Sequence, residues 1–305
     1  MKKINLLSLI LLFVSTVLFQ SCDKTESVPK GIYDGGVFIT NEGAFGKGNA
    51  SVSFYSFSDD AVVNNIFEKA NGRTLGDVVQ SISFVNDKAY ICVNASNKIE
   101  IAGKYDFKEL GVINDLTSVR YFTNDNSTKG YATVWGDNGQ VKVIDLTSNQ
   151  VSKSIDVGNG PEQMVIISDK LYVANSGGYG SDNTISVINT ITDELIKTIT
   201  LDADIPIDLI ADKNENLWIL CSGNPSWAST GNTAAKLIKM DTETDAVIAS
   251  VILTQSTHPK NIAFSSDGNY IYYGGGYGFD GIYKIDLTTL SVPTSPFISK
   301  GFYGF

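Results

Sequence analysis

From Gly36 onward the chain alternates short runs of β-branched and aromatic residues with clusters of Gly, Asn, Asp and Ser. The stretch Pro161 to Asp204 shows the pattern most cleanly, with apolar runs at Met164 to Ile167, Leu171 to Ala174, Thr184 to Asn189 and Leu195 to Leu201. Between them lie Ser168-Asp169, the glycine-bearing loop Asn175 to Asn183, and Thr190 to Asp193. Runs of this length and composition, broken by turn residues, predict one four-stranded antiparallel meander. Such a sheet cannot cover both of its faces alone, so it predicts repeats packed against it.

The repeats are present. The line apolar, x, apolar, apolar, Asp or Asn, x, x, Thr or Ser recurs at Val141 to Ser148, Ile185 to Thr192, Leu237 to Thr244 and Ile282 to Thr289. An Asp or Asn at the start of a tight turn accepts backbone N–H groups two or three residues on, so it ends one strand and launches the next. The markers Asp145, Asn189, Asp241 and Asp286 are 44, 52 and 45 residues apart, about the length of a four-stranded propeller blade. Weaker copies run from Gly36 to Asn71, with strands GVFIT, SVSFY and VVNNIFE, and from Val78 to Asn114. With no helical periodicity after the leader, the fold class is all-β: a β-propeller of four-stranded antiparallel blades, with a two-sheet sandwich array as the weaker alternative. Six sets of second, third and fourth strands are countable, and the expectation is a seven-bladed ring represented incompletely. The alternative is a six-bladed ring that Phe302 to Phe305 closes by pairing beside Gly36 to Thr40.

The leader is a separate matter. Lys2 and Lys3 precede the apolar stretch Ile4 to Phe19, too short for a spanning helix, and Gln20-Ser21-Cys22 follows. Residues 1–21 therefore read as a signal peptide, 22–30 as an acylated tether beginning at Cys22, and 31–305 as the propeller domain. The ending resembles a bacterial lipoprotein processing site of the Bacteroidetes kind, which implies lipidation of Cys22, an outer-membrane address and exposure at the cell surface. Cys92 and Cys221 each lie inside an apolar strand of a different repeat and are expected as buried free thiols.

Second strands reading Val37 to Asn41, Tyr90 to Asn94 and Leu171 to Asn175 resemble the YVTN repeat of YncE-like propellers. The opening Gly36 to Tyr55 is similar to surface lipoproteins of that class, among them cobalamin-capturing ones that work on a TonB-dependent transporter. The resemblance implies cobalamin as a bound ligand and such a transporter as partner.

Composition narrows the functions further. The formal net charge is −10, and the leader carries two of the lysines, so the remainder is more acidic still. No basic stripe with interleaved aromatics appears, which sets nucleic acid aside. His258 is the sole histidine and sits at a blade start, like Gly160 and Ile205 before their prolines. No histidine pair, Gly-x-Ser-x-Gly or Cys-x-x-Cys is present, so no catalytic or metal-ligating set is expected and a binding protein is favoured over an enzyme. Glu42, Asp77, Glu162 and Asp204 are the carboxylates expected on the face that carries the long loops.

In a meander the second-to-third loop and the blade-to-blade connection share one face. That face collects the long loops, and rigid scaffolds carry binding on such loops. The candidate ligand-binding residues are Asn41, Phe45, Trp135, Asn175, Tyr179, Asn224, Trp227, Tyr277 and Phe279, rings for stacking beside amides for hydrogen bonding.

Overall fold

The four Asx turns form as expected. Asp145 Oδ1 accepts the Thr147 N–H at 2.7 Å, Asn189 Oδ1 those of Ile191 and Thr192, Asp241 Oδ1 those of Glu243 and Thr244, and Asp286 Oδ1 those of Thr288 and Thr289. These backbone donors hold the Asp145 and Asp241 carboxyls below the usual range. The first three turns launch the outermost strand of their blades.

The computed structural model describes residues 30–276 and 278–304; the expected leader, Cys22 and nearly all of the tether lie outside them. Six antiparallel sheets are arranged as the six blades of a propeller. The first holds β1 (Gly36–Asn41), β2 (Ser51–Ser56) and β3 (Ala61–Val63), and the short helix α1 (Ile66–Asn71) follows. The second holds β4 (Val79–Val85), β5 (Lys88–Val93), β6 (Lys98–Gly103) and β7 (Glu109–Ile113). The third holds β8 (Val119–Asn124), β9 (Lys129–Val134), β10 (Gln140–Asp145) and β11 (Gln150–Asp156). The fourth, at the stretch read most clearly from sequence, holds β12 (Pro161–Ile167), β13 (Lys170–Asn175), β14 (Thr184–Asn189) and β15 (Glu194–Thr200). The fifth holds β16 (Pro206–Ala211), β17 (Leu217–Cys221), β18 (Ala235–Asp241) and β19 (Ala246–Thr254). The sixth holds β20 (Asn261–Phe264), β21 (Tyr270–Gly274) and β22 (Ile282–Asp286), with Ile298 bridged to Ile282 at its outer side.

Three expectations are corrected. Six blades form, not seven, so the alternative count holds. The strand expected at Phe302 to Phe305 is not formed among the described residues: Tyr303 instead accepts the Gly276 N–H through its carbonyl at 2.7 Å, and β1 pairs with β2 alone. Val37 and Ile39 on β1 stay 46% and 40% exposed as a result. The run VVNNIFE is also not one strand. Asn65 turns left-handed (φ 56°) after β3, and α1 then buries Ile66 and Phe67 between the first two blades.

The core is divided among blade interfaces. Five buried clusters each join a neighbouring pair, from Val52, Phe54 and Ile91 between the first and second blades to Trp218, Ile271 and Tyr273 between the fifth and sixth. Cys92 and Cys221 are buried free thiols within this packing, and burial pushes both thiols up, Cys92 to about 12. Polar latches tie the outer ends. Tyr131 donates its hydroxyl to Asp193 and Tyr172 to Asp245, each at 2.6 Å, and each joins a second strand to the turn of the next blade. The first strands β4, β8, β12, β16 and β20 lie side by side around the axis. No described helix is long and apolar enough to cross a membrane.

Candidate functional site

The axial site is built by a repeated backbone device. Just before β4, β8, β12 and β16 stand Val78, Ser118, Gly160 and Ile205, all with φ between 54° and 58°. A left-handed conformation is a strained choice for a β-branched residue such as Val78 or Ile205. Each is held by a hydrogen bond from the loop after the second strand to its carbonyl: from Asn94, Trp135, Ser176 and Ser222 respectively. The strand then opens with a bulge, where the register slips by one residue past Val79, Val119, Pro161 and Pro206. A bulge re-aims the side chains beside it. The extra residues are Gln80, the Arg120-Tyr121 pair opposite Thr133, the Glu162-Gln163 pair opposite Ala174, and Ile207. Lys260 holds the matching place in the sixth blade, directly after Pro259.

The side chains of Gln80, Arg120 and Glu162 converge at the mouth of the axis on the long-loop face. Arg120 Nε donates to Glu162 Oε2 at 3.0 Å, and its Nη1 donates to Gln80 Oε1, so one guanidinium joins three blades. The guanidinium carbon lies 4.2 Å from the centre of the Trp135 ring. Such a stack contributes about 2 kcal/mol when desolvated, and Arg120 is largely buried. Trp135 in turn meets Tyr179 edge to face at 5.2 Å. A ladder therefore runs from Tyr179, 99% exposed, through Trp135 and Arg120 to the buried Glu162.

Burial sets the protonation of this cluster. Desolvation raises the Glu162 carboxyl, opposed by Arg120 and Lys260. Asp208 accepts the Leu209 and Ile262 N–H groups, both at 2.9 Å, yet burial pushes it up to about 7, and Glu162 adds to the rise. Lys260 is exposed to solvent; desolvation by the protein around it, opposed by Glu162 and joined by the Arg120 charge, pulls its ammonium down. Desolvation, with Glu42 nearby, raises the Tyr303 phenol.

The residues expected from sequence separate into three groups. Trp135 and Tyr179 are brought together, as described. Phe45 and Trp227 stand out of their loops, 82% and 85% exposed, with no ring partner among the described residues. The amides and Phe279 serve the scaffold. Asn41 Nδ2 donates to Ser51 and Ser53 hydroxyls, and the fully buried Asn175 does the same to Thr184 and Ser186, so both close the end of a second strand. Asn224 is buried at the base of its loop, its N–H on Thr233 Oγ1 at 2.7 Å. Phe279 is buried against Tyr273 and Tyr283. Tyr277 lies outside the described residues. His258 Nδ1 lies 2.8 Å from the Ser222 carbonyl and ties the sixth blade to the fifth, in keeping with a blade-start role.

Sequence reading placed Glu162 on the correct face but missed Arg120, Gln80 and Lys260. The available signal was a polar residue directly after the Val or Pro at four of the blade starts, Gln80, Arg120, Glu162 and Lys260, with Ile207 the exception. No cluster of three or more metal-binding side chains occurs among the described residues.

A family model described as a domain of unknown function, DUF5074, matches residues 35–302. No curated protein matches the chain. Among solved structures, Kuenenia stuttgartiensis hydrazine synthase is similar in fold, with a TM-score of 0.59 and 17% identity over 68% of this chain and 66% of that one. At that identity the likeness concerns the fold alone, and a propeller scaffold by itself assigns no chemistry.

Proposed function

Because the chain belongs to the DUF5074 family, whose description assigns no activity, we propose a function from the site itself: non-covalent capture of a small molecule at the axial mouth. The observation that carries this reading is the ladder from Tyr179 through Trp135 to Arg120, which offers an exposed ring at the tip and a fixed charge at the base. Aromatic rings on loops held by a rigid scaffold bind flat surfaces with little loss of freedom. In this reading the protein is a lipoprotein acylated at Cys22, standing at the outer surface of an outer membrane, and it binds rather than transforms its ligand. Cobalamin is the first ligand to try, on the strength of the YVTN-like second strands and the Gly36 to Tyr55 opening.

A partner surface accompanies the axial mouth. Phe45 and Trp227, exposed and without ring partners among the described residues, suit docking on a TonB-dependent transporter better than holding a small ligand.

Calorimetric titration of the domain beginning after Ser27 with cyanocobalamin tests the reading. Tight one-to-one binding that weakens at least tenfold in the Trp135→Ala, Tyr179→Ala double variant is the expected outcome. Absence of heat removes cobalamin; binding that ignores the double variant removes the ladder as the site.

A further inference from the structure

Among the described residues, two cations are grouped around one carboxylate at three places. At Glu100, Arg73 bonds at 2.5 Å and Lys98 at 2.7 Å. At Asp245, Lys170 bonds at 3.1 Å and Lys197 at 2.6 Å. At Glu162, Arg120 bonds at 3.0 Å, while Lys260 forms no ion pair or side-chain hydrogen bond among the described residues although it sits close enough for the two charges to act on each other. The first two sets are closed; the axial one is open.

Hydrogen-bond accounting points the same way. A guanidinium carries five N–H donors, and Arg120 spends Nε on Glu162 and Nη1 on Gln80, leaving Nη2 without an acceptor among the described residues. The Trp135 indole N–H is buried beside Glu162, near enough to help hold its carboxyl down but outside hydrogen-bond geometry, so it has no partner among the described residues. Lys260 adds an ammonium with three donors. Unsatisfied buried donors are uncommon, and each calls for a reason. Here one such donor, the Trp135 N–H, is grouped with the unspent Arg120 nitrogen and the exposed Lys260 ammonium around the buried Glu162 carboxylate.

We propose that this mouth binds an anionic group carried by the ligand, a carboxylate or a phosphate, which takes the Lys260 ammonium and the Trp135 indole N–H as donors with Arg120 as the fixed charge behind them. The inference rests on the loop-face binding reading and assigns the charge of what is bound. In a chain of net charge −10, long-range attraction for an anion is weak, so affinity comes from these close donors rather than from steering.

The test uses the domain with 15N-labelled tryptophan, its Trp135 indole signal assigned by Trp135→Phe. Inorganic phosphate and succinate are titrated separately, each against sodium chloride of equal ionic strength. The expected result is a saturable shift of the Trp135 signal, with Trp218 and Trp227 unmoved, from one of the two probes. Lys260→Met should weaken it at least tenfold without changing thermal unfolding, and Lys260→Arg should restore most of it. Phosphate alone shifting the signal assigns a phosphate ligand, and succinate alone a carboxylate. If neither probe moves Trp135, or Lys260→Met behaves as the parent does, the inference falls. Cobalamin binding in that same protein would then leave the broader binding reading standing, whereas a Lys260-dependent phosphate shift without cobalamin binding would uphold the inference and remove cobalamin alone.

Discussion

The chain has two arginines, and each faces a buried glutamate across a blade boundary. At the rim of the second blade, Arg73 reaches Glu100 with both terminal nitrogens and Glu109 besides, while Lys98 takes the second oxygen of Glu100. At the axis, Arg120 reaches Glu162 with one nitrogen, shares another with Gln80, and lies under the Trp135 ring. Both glutamates are almost fully buried. The first is saturated and therefore structural: every charge it removes from water is answered by a hydrogen bond. The second is under-satisfied, its carboxyl raised by desolvation despite the arginine. Binding sites differ from scaffolds in this respect, since a group held for a ligand must keep donors free until the ligand arrives.

The largest effect that would sharpen this contrast is expected from Glu100→Ala. Removing the acid strands Arg73 and Lys98 against each other, and loss of one partner of a buried pair costs about 3 kcal/mol, at the low end of the range because Arg73 is 39% exposed. Urea unfolding reads this as a lowered midpoint with unchanged slope. A change within error would make the rim pair dispensable and the comparison empty.

Glu162→Gln should cost less, about 1 kcal/mol, because the loss of one charged hydrogen bond is offset by a smaller desolvation penalty. The same unfolding experiment measures it, and a loss equal to that of Glu100→Ala would show the two pairs to be equivalent.

A third effect, read against pH rather than by removing a partner, comes from the same axial cluster. The Asp208 carboxyl titrates at about 7 in the fold, against an ordinary value of 3.8. The folded state thus holds a proton that the unfolded state has lost between those values, so this residue makes stability fall as pH rises through that window. Glu162, shifted in the same direction, adds to the fall. Asp245 acts oppositely. Lys197, Tyr172 and Lys170 hold it low despite desolvation, so its contribution is present above the unfolded value and is lost as pH falls through the lowered one. Asp208→Asn should flatten the decline in melting temperature between pH 4 and 7, and an unchanged profile would remove Asp208 as its source.

What could be read before the fold was seen follows from range. Each Asx turn joins residues two or three apart, so the pitch of the blades, the all-β class and the long-loop face are all written locally in Asp145, Asn189, Asp241 and Asp286. Burial of Cys92 and Cys221 followed from the apolar runs around them. The helix α1 was missed because its six residues are too short for a periodic signal, and only its packing of Ile66 and Phe67 between two blades sustains it. The amides at Asn41 and Asn175 were misleading for a related reason. Exposed-looking loop residues by composition, they turn inward to hydroxyls nine to twelve positions away.

The amino-acid sequence by itself determined the repeat, the strands within each blade and the turns between them, because those depend on hydrogen bonds and side-chain periodicities that close within one blade. The axial site was decided only by tertiary structure. Gln80 and Arg120 are 40 positions apart, Arg120 and Glu162 are 42 apart, and nothing local requires them to meet. They meet because blade packing holds Val78 and Ile205, residues that by preference avoid positive φ, in the left-handed region together with Ser118 and Gly160, and so opens each first strand with a bulge toward the axis.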